Sequence, residues 1–145
     1  MTNIKVIDHA SPALKAYAIQ IRQRMPLWMK QSVLYVQSKI PAYPSPPPGS
    51  TYRRTGTLGR VLTAFGGGLA GGDAAPLSRV ETFGDKTVGY IGGRLSYITY
   101  VVGDEEGEGQ AWMHRGRWYK LIDVVRQNVH GVVDIFRDGI RDLIG

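Results

Sequence analysis

Cysteine is absent from the 145 residues. That omission excludes disulfides, zinc ribbons, thiolate nucleophiles and thiol redox chemistry together, and it fits a reducing compartment such as cytosol. Long apolar runs are missing as well. No window reaches the roughly 18 consecutive apolar residues that a membrane-spanning helix needs. The opening Met1-Thr2-Asn3-Ile4-Lys5-Val6 has neither the apolar core nor the small-residue cleavage site of a signal peptide. What is present, 43% apolar and 21% charged residues, is the balance of a soluble globular chain and not of a disordered one. The length suits one domain over residues 1–145 and leaves too little chain for two separate cores.

Acidic residues are scarce at first. Residues 1–60 hold nine Lys/Arg against Asp8 alone, whereas residues 61–116 hold four against seven acids, within a net charge of +6. A basic first part and an acidic middle suit nucleic acid, and equally a head-to-tail contact between identical subunits.

Ile4 to Ile7 alternates apolar and polar residues and reads as a first strand or an extended lead-in. Ser11-Pro12 then opens a helix, because Ser accepts from orphan N–H groups and Pro is tolerated at the first helical position. Leu14, Tyr17, Ala18, Ile21, Met25, Trp28, Met29, Val33, Val36 and Ile40 recur at steps of mostly three and four, predicting one long helix over 12–40. Pro26 predicts a kink or break near Met25. Lys15, Arg22, Arg24, Lys30 and Lys39 occupy the other face.

A Pro-rich arm follows over 41–52, with five prolines in positions 41–48 that favour extended polyproline geometry. Arg53 to Leu62 reads as a short helix capped by Thr55 or Thr57, followed by a Gly-rich loop over 66–76. Three strand-like runs come next, Ser78–Phe83, Thr87–Ile91 and Tyr97–Val102, separated by glycine turns that argue for an antiparallel meander. An acidic, flexible loop is expected over 103–110. Trp118, Ile122, Val125, Val129, Val132, Phe136, Ile140 and Leu143 then predict one amphipathic helix over 117–144. Gly131 and Gly139 each weaken that helix by about 1 kcal/mol relative to alanine, so a bend is expected there. Asp134/Arg137 and Asp138/Arg141 are spaced to pair along its wet side. The expected architecture is α+β, with the C-terminal helix packed on a small antiparallel sheet.

Few residues carry chemistry. Gly66-Gly67-Gly68-Leu69-Ala70-Gly71 matches a dinucleotide fingerprint in letters, but Gly72-Asp73-Ala74-Ala75-Pro76 supplies no helix N-terminus to receive a pyrophosphate. Asp104, Glu105, Glu106 and Glu108 lack the alternating order and distant closing Glu of a calcium loop. His9, His114 and His130 have no metal-binding spacing. No nucleophile elbow or phosphate loop is present. We expect no catalytic residue, no metal and no cofactor. Arg53, Arg54, Arg60, Lys30 and Lys39 with Tyr43 and Tyr52 make a basic, aromatic neighbourhood suited to phosphate and base contact.

At Tyr52-Arg-Arg-Thr-Gly-Thr-Leu-Gly-Arg60 the chain resembles the tail-component (tail-completion or minor tail protein) family of long-tailed double-stranded DNA phages. Thr55-Gly56-Thr57-Leu58 matches its Thr-Gly-x-Leu motif, and Tyr97-Ile-Thr-Tyr-Val-Val-Gly103 resembles its Tyr-x-x-Tyr-Val strand. Val102 stands where that strand commonly carries Glu, and residues 66–72 look like an insertion. The order of elements agrees over nearly the whole chain. The resemblance implies a structural virion protein without enzymatic activity, at the head–tail junction or tail end and in the host cytoplasm during assembly. It implies a ring of identical copies, six-fold in the virion, meeting other neck or tail proteins, with non-specific DNA contact in the lumen and no membrane. Arg53, Arg54, Thr55, Gly56, Leu58 and Arg60 on one side, and Asp104, Glu105, Glu106 and Glu108 on the other, are the expected interface residues. The alternative is a small basic nucleic-acid-binding or regulatory protein of phage origin.

Overall fold

A computed structural model describes residues 10–41, 44, 48–51 and 76–145. The expected first strand at Ile4–Ile7, the short helix at 53–62, the Gly-rich stretch 66–72 and most of the Pro-rich arm lie outside these residues.

Helix α1 (Ala10–Ser38) runs unbroken through Pro26. A proline costs an interior helical hydrogen bond and clashes with the carbonyl four residues back. The good helix formers on its N-terminal side and the packing on its C-terminal side outweigh that cost, so the expected break does not occur. The two halves differ in environment. Residues 11–20 are exposed apart from half-buried Tyr17, whereas Trp28, Ser32, Val33, Val36, Gln37 and Ile40 are buried. Buried Ser32 satisfies its hydroxyl by donating to the Trp28 carbonyl at 2.8 Å. The helix closes through Lys39 N–H to Val36 O and Ile40 N–H to Gln37 O, and Pro41 forbids continuation.

Strands β1 (Pro76–Phe83) and β2 (Lys86–Gly93) pair antiparallel, with Phe83 opposite Lys86 across Gly84-Asp85. Pro76, expected in the preceding loop, already begins β1. Gly84 at φ +61° with no positive φ at Asp85 gives the sign pattern of a type II′ turn, whose twist suits a two-residue hairpin. On the outer face Arg79 lies over the Tyr90 ring, 4.8 Å from its centroid, and pairs with Glu81 at 2.9 Å. On the inner face Gly89 lets the sheet approach α1. A methyl group there would come within 2.6 Å of Val33 and 2.8 Å of the Met29 sulfur.

The third expected strand is a short helix, α2 (Ile98–Val102), so among the described residues the sheet has two strands and not three. Leu95, Ile98, Val101 and Val102 fall at helical steps. Neighbouring Val101 and Val102 are both buried, which a strand with one wet face cannot achieve. Packing overrides β-propensity here.

The expected single C-terminal helix is also two: α3 (Leu121–Gln127) and α4 (Val129–Ile144). The break falls at Asn128, not at the glycines. The Asn128 side chain donates to the Val124 carbonyl at 2.7 Å, taking the acceptor that its own backbone N–H would use, and that N–H turns to Val125 O instead. Gly131 and Gly139 serve packing. They face the Tyr35 and Trp28 rings, so α4 runs antiparallel to α1 in close approach. Phe136 meets Trp28 edge-on at 5.8 Å. The expected ion pairs Asp134–Arg137 and Asp138–Arg141 form at 3.0 and 4.0 Å on the exposed side. Thus α4 packs on α1, α1 packs on the hairpin, and α3 reaches the sheet through Leu121 beside Gly92. The fold is α+β, with a core of Val36, Ile40, Val101, Val102 and Val124. No helix among the described residues is long and apolar enough to cross a membrane.

Candidate functional site

The acidic segment after α2, expected to be a flexible loop, is a closed turn. The Asp104 N–H donates to Glu108 O at 2.9 Å, and Gly107 N–H donates back to Asp104 O at 3.0 Å. The Asp104 carboxylate accepts from the N–H groups of Glu106 and Glu108 at 3.0 and 2.8 Å. These bonds favour the charged form, the Glu108 N–H most strongly, and hold Asp104 below the ordinary value of 3.8. Gly107 has φ +84°, and its buried backbone sits where an added methyl would lie 3.1 Å from Ile122. Only glycine meets both demands.

Beyond the turn, buried Gln110 donates from Nε2 to Val101 O at 2.8 Å and Trp118 O at 3.2 Å. Ala111 N–H donates to Tyr100 O at 2.8 Å. This clasp sets the 3₁₀ turn Trp112–His114 beside α2. Four large side chains on these two neighbouring elements are exposed: Tyr97 and Tyr100 from α2 and its leading residue, and Trp112 and Met113 from the 3₁₀ turn. Trp112 is 77% exposed and Tyr100 61%.

The four acidic candidates therefore have different uses. Asp104 is spent on the turn itself. Glu105, Glu106 and Glu108 are exposed and make no ion pair with any described residue. Among the described residues no group of three His, Asp or Glu side chains could hold a metal ion. His114 contacts Trp118 edge-on at 6.3 Å, and His130 is exposed on α4. Arg53, Arg54, Thr55, Gly56, Leu58 and Arg60 lie outside the described residues.

Two grooves mark the described surface, one of them bordering this turn. One, about 340 Å³, is mostly apolar, lined by Ile91, Ile98, Leu121 and Val125 and edged by Asp104 and Glu105. Its lining offers no imidazole, amine or hydroxyl nucleophile beyond the Tyr90 phenol. The other, about 440 Å³, lies between α1 and α4, with Arg24, Asp138 and Asp142 among its lining residues. Neither gathers an acid, a base and a nucleophile in one place.

Helix α1 is the electrostatic counterpart. It carries Lys15, Arg22, Arg24 and Lys30 and no acidic residue, and none of the four forms an ion pair among the described residues. The aromatic patch is the feature that sequence reasoning missed. Its one signal was Trp112-Met113, a bulky apolar pair standing among Gly, Gln, His and Arg in a stretch with no apolar periodicity.

Against protein-family models, curated proteins and solved structures, the chain matches none.

Proposed function

We propose that the chain is a structural component of a tailed-phage particle, a tail-completion or neck protein that assembles as a ring of identical copies. The observation that carries this reading is the separation of unpaired charge onto two surfaces of one chain. Helix α1 carries cations and no acid, and Glu105, Glu106 and Glu108, which pair with no described residue, stand on the turn that follows α2. A surface with its complement elsewhere on the same chain is what a head-to-tail assembly needs. The order of long helix, hairpin and C-terminal helices supports the family resemblance. The Tyr97–Gly103 motif departs from it, being helical where the resemblance implies a strand.

Antibody labelling of purified particles tests the proposal. Label confined to the neck or tail end is expected, and particles free of the protein would refute it.

A second reading rests on the same four cations of α1, unpaired among the described residues, which would suit phosphate contact without base readout. Under that reading the purified chain binds random-sequence DNA with an affinity that falls steeply with salt. Binding too weak to measure at moderate salt removes it.

A further inference from the structure

We infer that the exposed Tyr97, Tyr100, Trp112 and Met113, together with Glu105, Glu106 and Glu108 on the turn that follows α2, dock the N-terminal half of α1 from a second copy of this chain. The inference rests on the proposed self-assembly and adds to it which two surfaces meet.

Consider first what α1 offers. Over residues 10–25 it extends about 23 Å at 1.5 Å per residue, and residues 11–20 are exposed apart from Tyr17. At 100° per residue Leu14, Ala18, Ile21 and Met25 share one stripe. Lys15 and Arg22 flank it on one side and Arg24 on the other. Leu14, at the free end of the stripe, is 65% exposed. Leu14 and Ala18 at the N-terminal end of the stripe are exposed, whereas Ile21 and Met25 are half-buried, so the first two turns are the part of this acid-free helix left open among the described residues.

The patch offers the converse. Aromatic and Met side chains are enriched where protein surfaces associate, because they bring large apolar area at low entropic cost. Here they are held by buried Gln110 and by the Ala111–Tyr100 backbone bond, so the surface is preformed. The carboxylates of Glu105, Glu106 and Glu108, which pair with no described residue, stand on the turn that follows α2. Apolar stripe meets aromatic side chains, and cationic flanks meet carboxylates. Charges at an interface rim steer the encounter and fix register, while the buried aromatics supply most of the binding.

Residues 11–16 and 18–20 of α1 and the four large side chains are exposed among the described residues, so the proposed contact is one between chains. The two surfaces differ, so the contact is heterologous. Repeated, it closes a ring or grows a filament.

The absence of cysteine makes the test clean. A full-length chain carrying both Arg22→Cys and Glu106→Cys, treated with a flexible bis-maleimide, is expected to give a ladder of oligomers beyond dimer on denaturing gels. Either single-cysteine chain is expected to remain monomeric. Adding Trp112→Ala should weaken association roughly thirtyfold, the size of a hot-spot loss, and deplete the ladder. Dimers from the Glu106→Cys chain with no ladder from the double variant would mean that the patch pairs with itself, which overturns the inference. No cross-link from the double variant overturns it as well, and a ladder indifferent to Trp112→Ala overturns the aromatic anchor. Labelling of particles separates the two claims. Labelled particles without a ladder refute this contact alone, and a ladder with unlabelled particles refutes the virion reading alone.

Discussion

Replacing Gly139 by alanine sets two effects of known size against each other. Helix propensity favours alanine by about 1 kcal/mol in a helix interior, so the sequence by itself predicts stabilisation. The structure predicts the reverse. A methyl group on Gly139 would be driven into the Trp28 indole, at the body of the ring and not at a flexible tip. Trp28 is only 6% exposed and leans edge-on against Phe136. A shift of a few tenths of an ångström does not relieve such a clash, so the indole must turn out. Losing its burial costs about 1.5–3 kcal/mol, and losing the aromatic pair about 0.5–1.5 kcal/mol. Set against the propensity gain, Gly139→Ala should destabilise the chain by about 1–3.5 kcal/mol. Urea unfolding of the full-length protein should show a lower midpoint at an unchanged slope. In a Trp28→Leu background, where the methyl has room, the same substitution should become neutral or stabilising, a coupling that a double-mutant cycle measures directly. A raised midpoint for Gly139→Ala alone would refute the claim that this glycine exists for the α1–α4 contact.

Further outcomes follow from the same packing. At Gly131 the methyl would meet the ring edge and hydroxyl end of half-buried Tyr35, which can swing aside, so Gly131→Ala should change stability by less than Gly139→Ala in the same titration. Gln110→Ala removes two donors and strands the carbonyls of Val101 and Trp118; it should cost about 2–4 kcal/mol and quench the ordered environment of Trp112 in fluorescence. Gln37 is 2% exposed with no partner for its Nε2, so Gln37→Met should raise the unfolding free energy by about 1 kcal/mol. The Asp104 carboxyl, held down by the Glu108 N–H, should titrate below 3.8 in a carbon-detected NMR experiment. Its contribution, read as the difference from Asp104→Ala, should be complete above the ordinary carboxylate value and vanish as pH falls through the lower folded value. A difference that grew on acidification would reverse that sign.

The sequence was most legible where one periodicity ran long. The stripe from Leu14 to Ile40 named α1, and Gly84-Asp85 between β-branched runs named the hairpin. It was least legible where a few residues had to choose between periods. Tyr97–Val102 is rich in β-formers, yet consecutive burial of Val101 and Val102 against α1 and α3 makes it a helix. The stripe from Trp118 to Leu143 is continuous in letters, while one amide on Asn128 diverts a backbone acceptor and divides the helix. Of the site, the acidic character of 104–108 was plain from the residues. Which carboxylates stay free was not, because that depends on the fold of the turn, in which Asp104 is used up by two backbone N–H groups. The aromatic patch had no periodicity to betray it, since its members come from two short elements joined by a buried glutamine.

Electron microscopy of lysates from a phage carrying an early stop codon in this gene tests the central claim most directly. The structural reading predicts filled heads beside separate tails, or heads with tails absent or of aberrant length. Intact, infectious particles would contradict it and turn attention to the cations of α1 as a nucleic-acid surface.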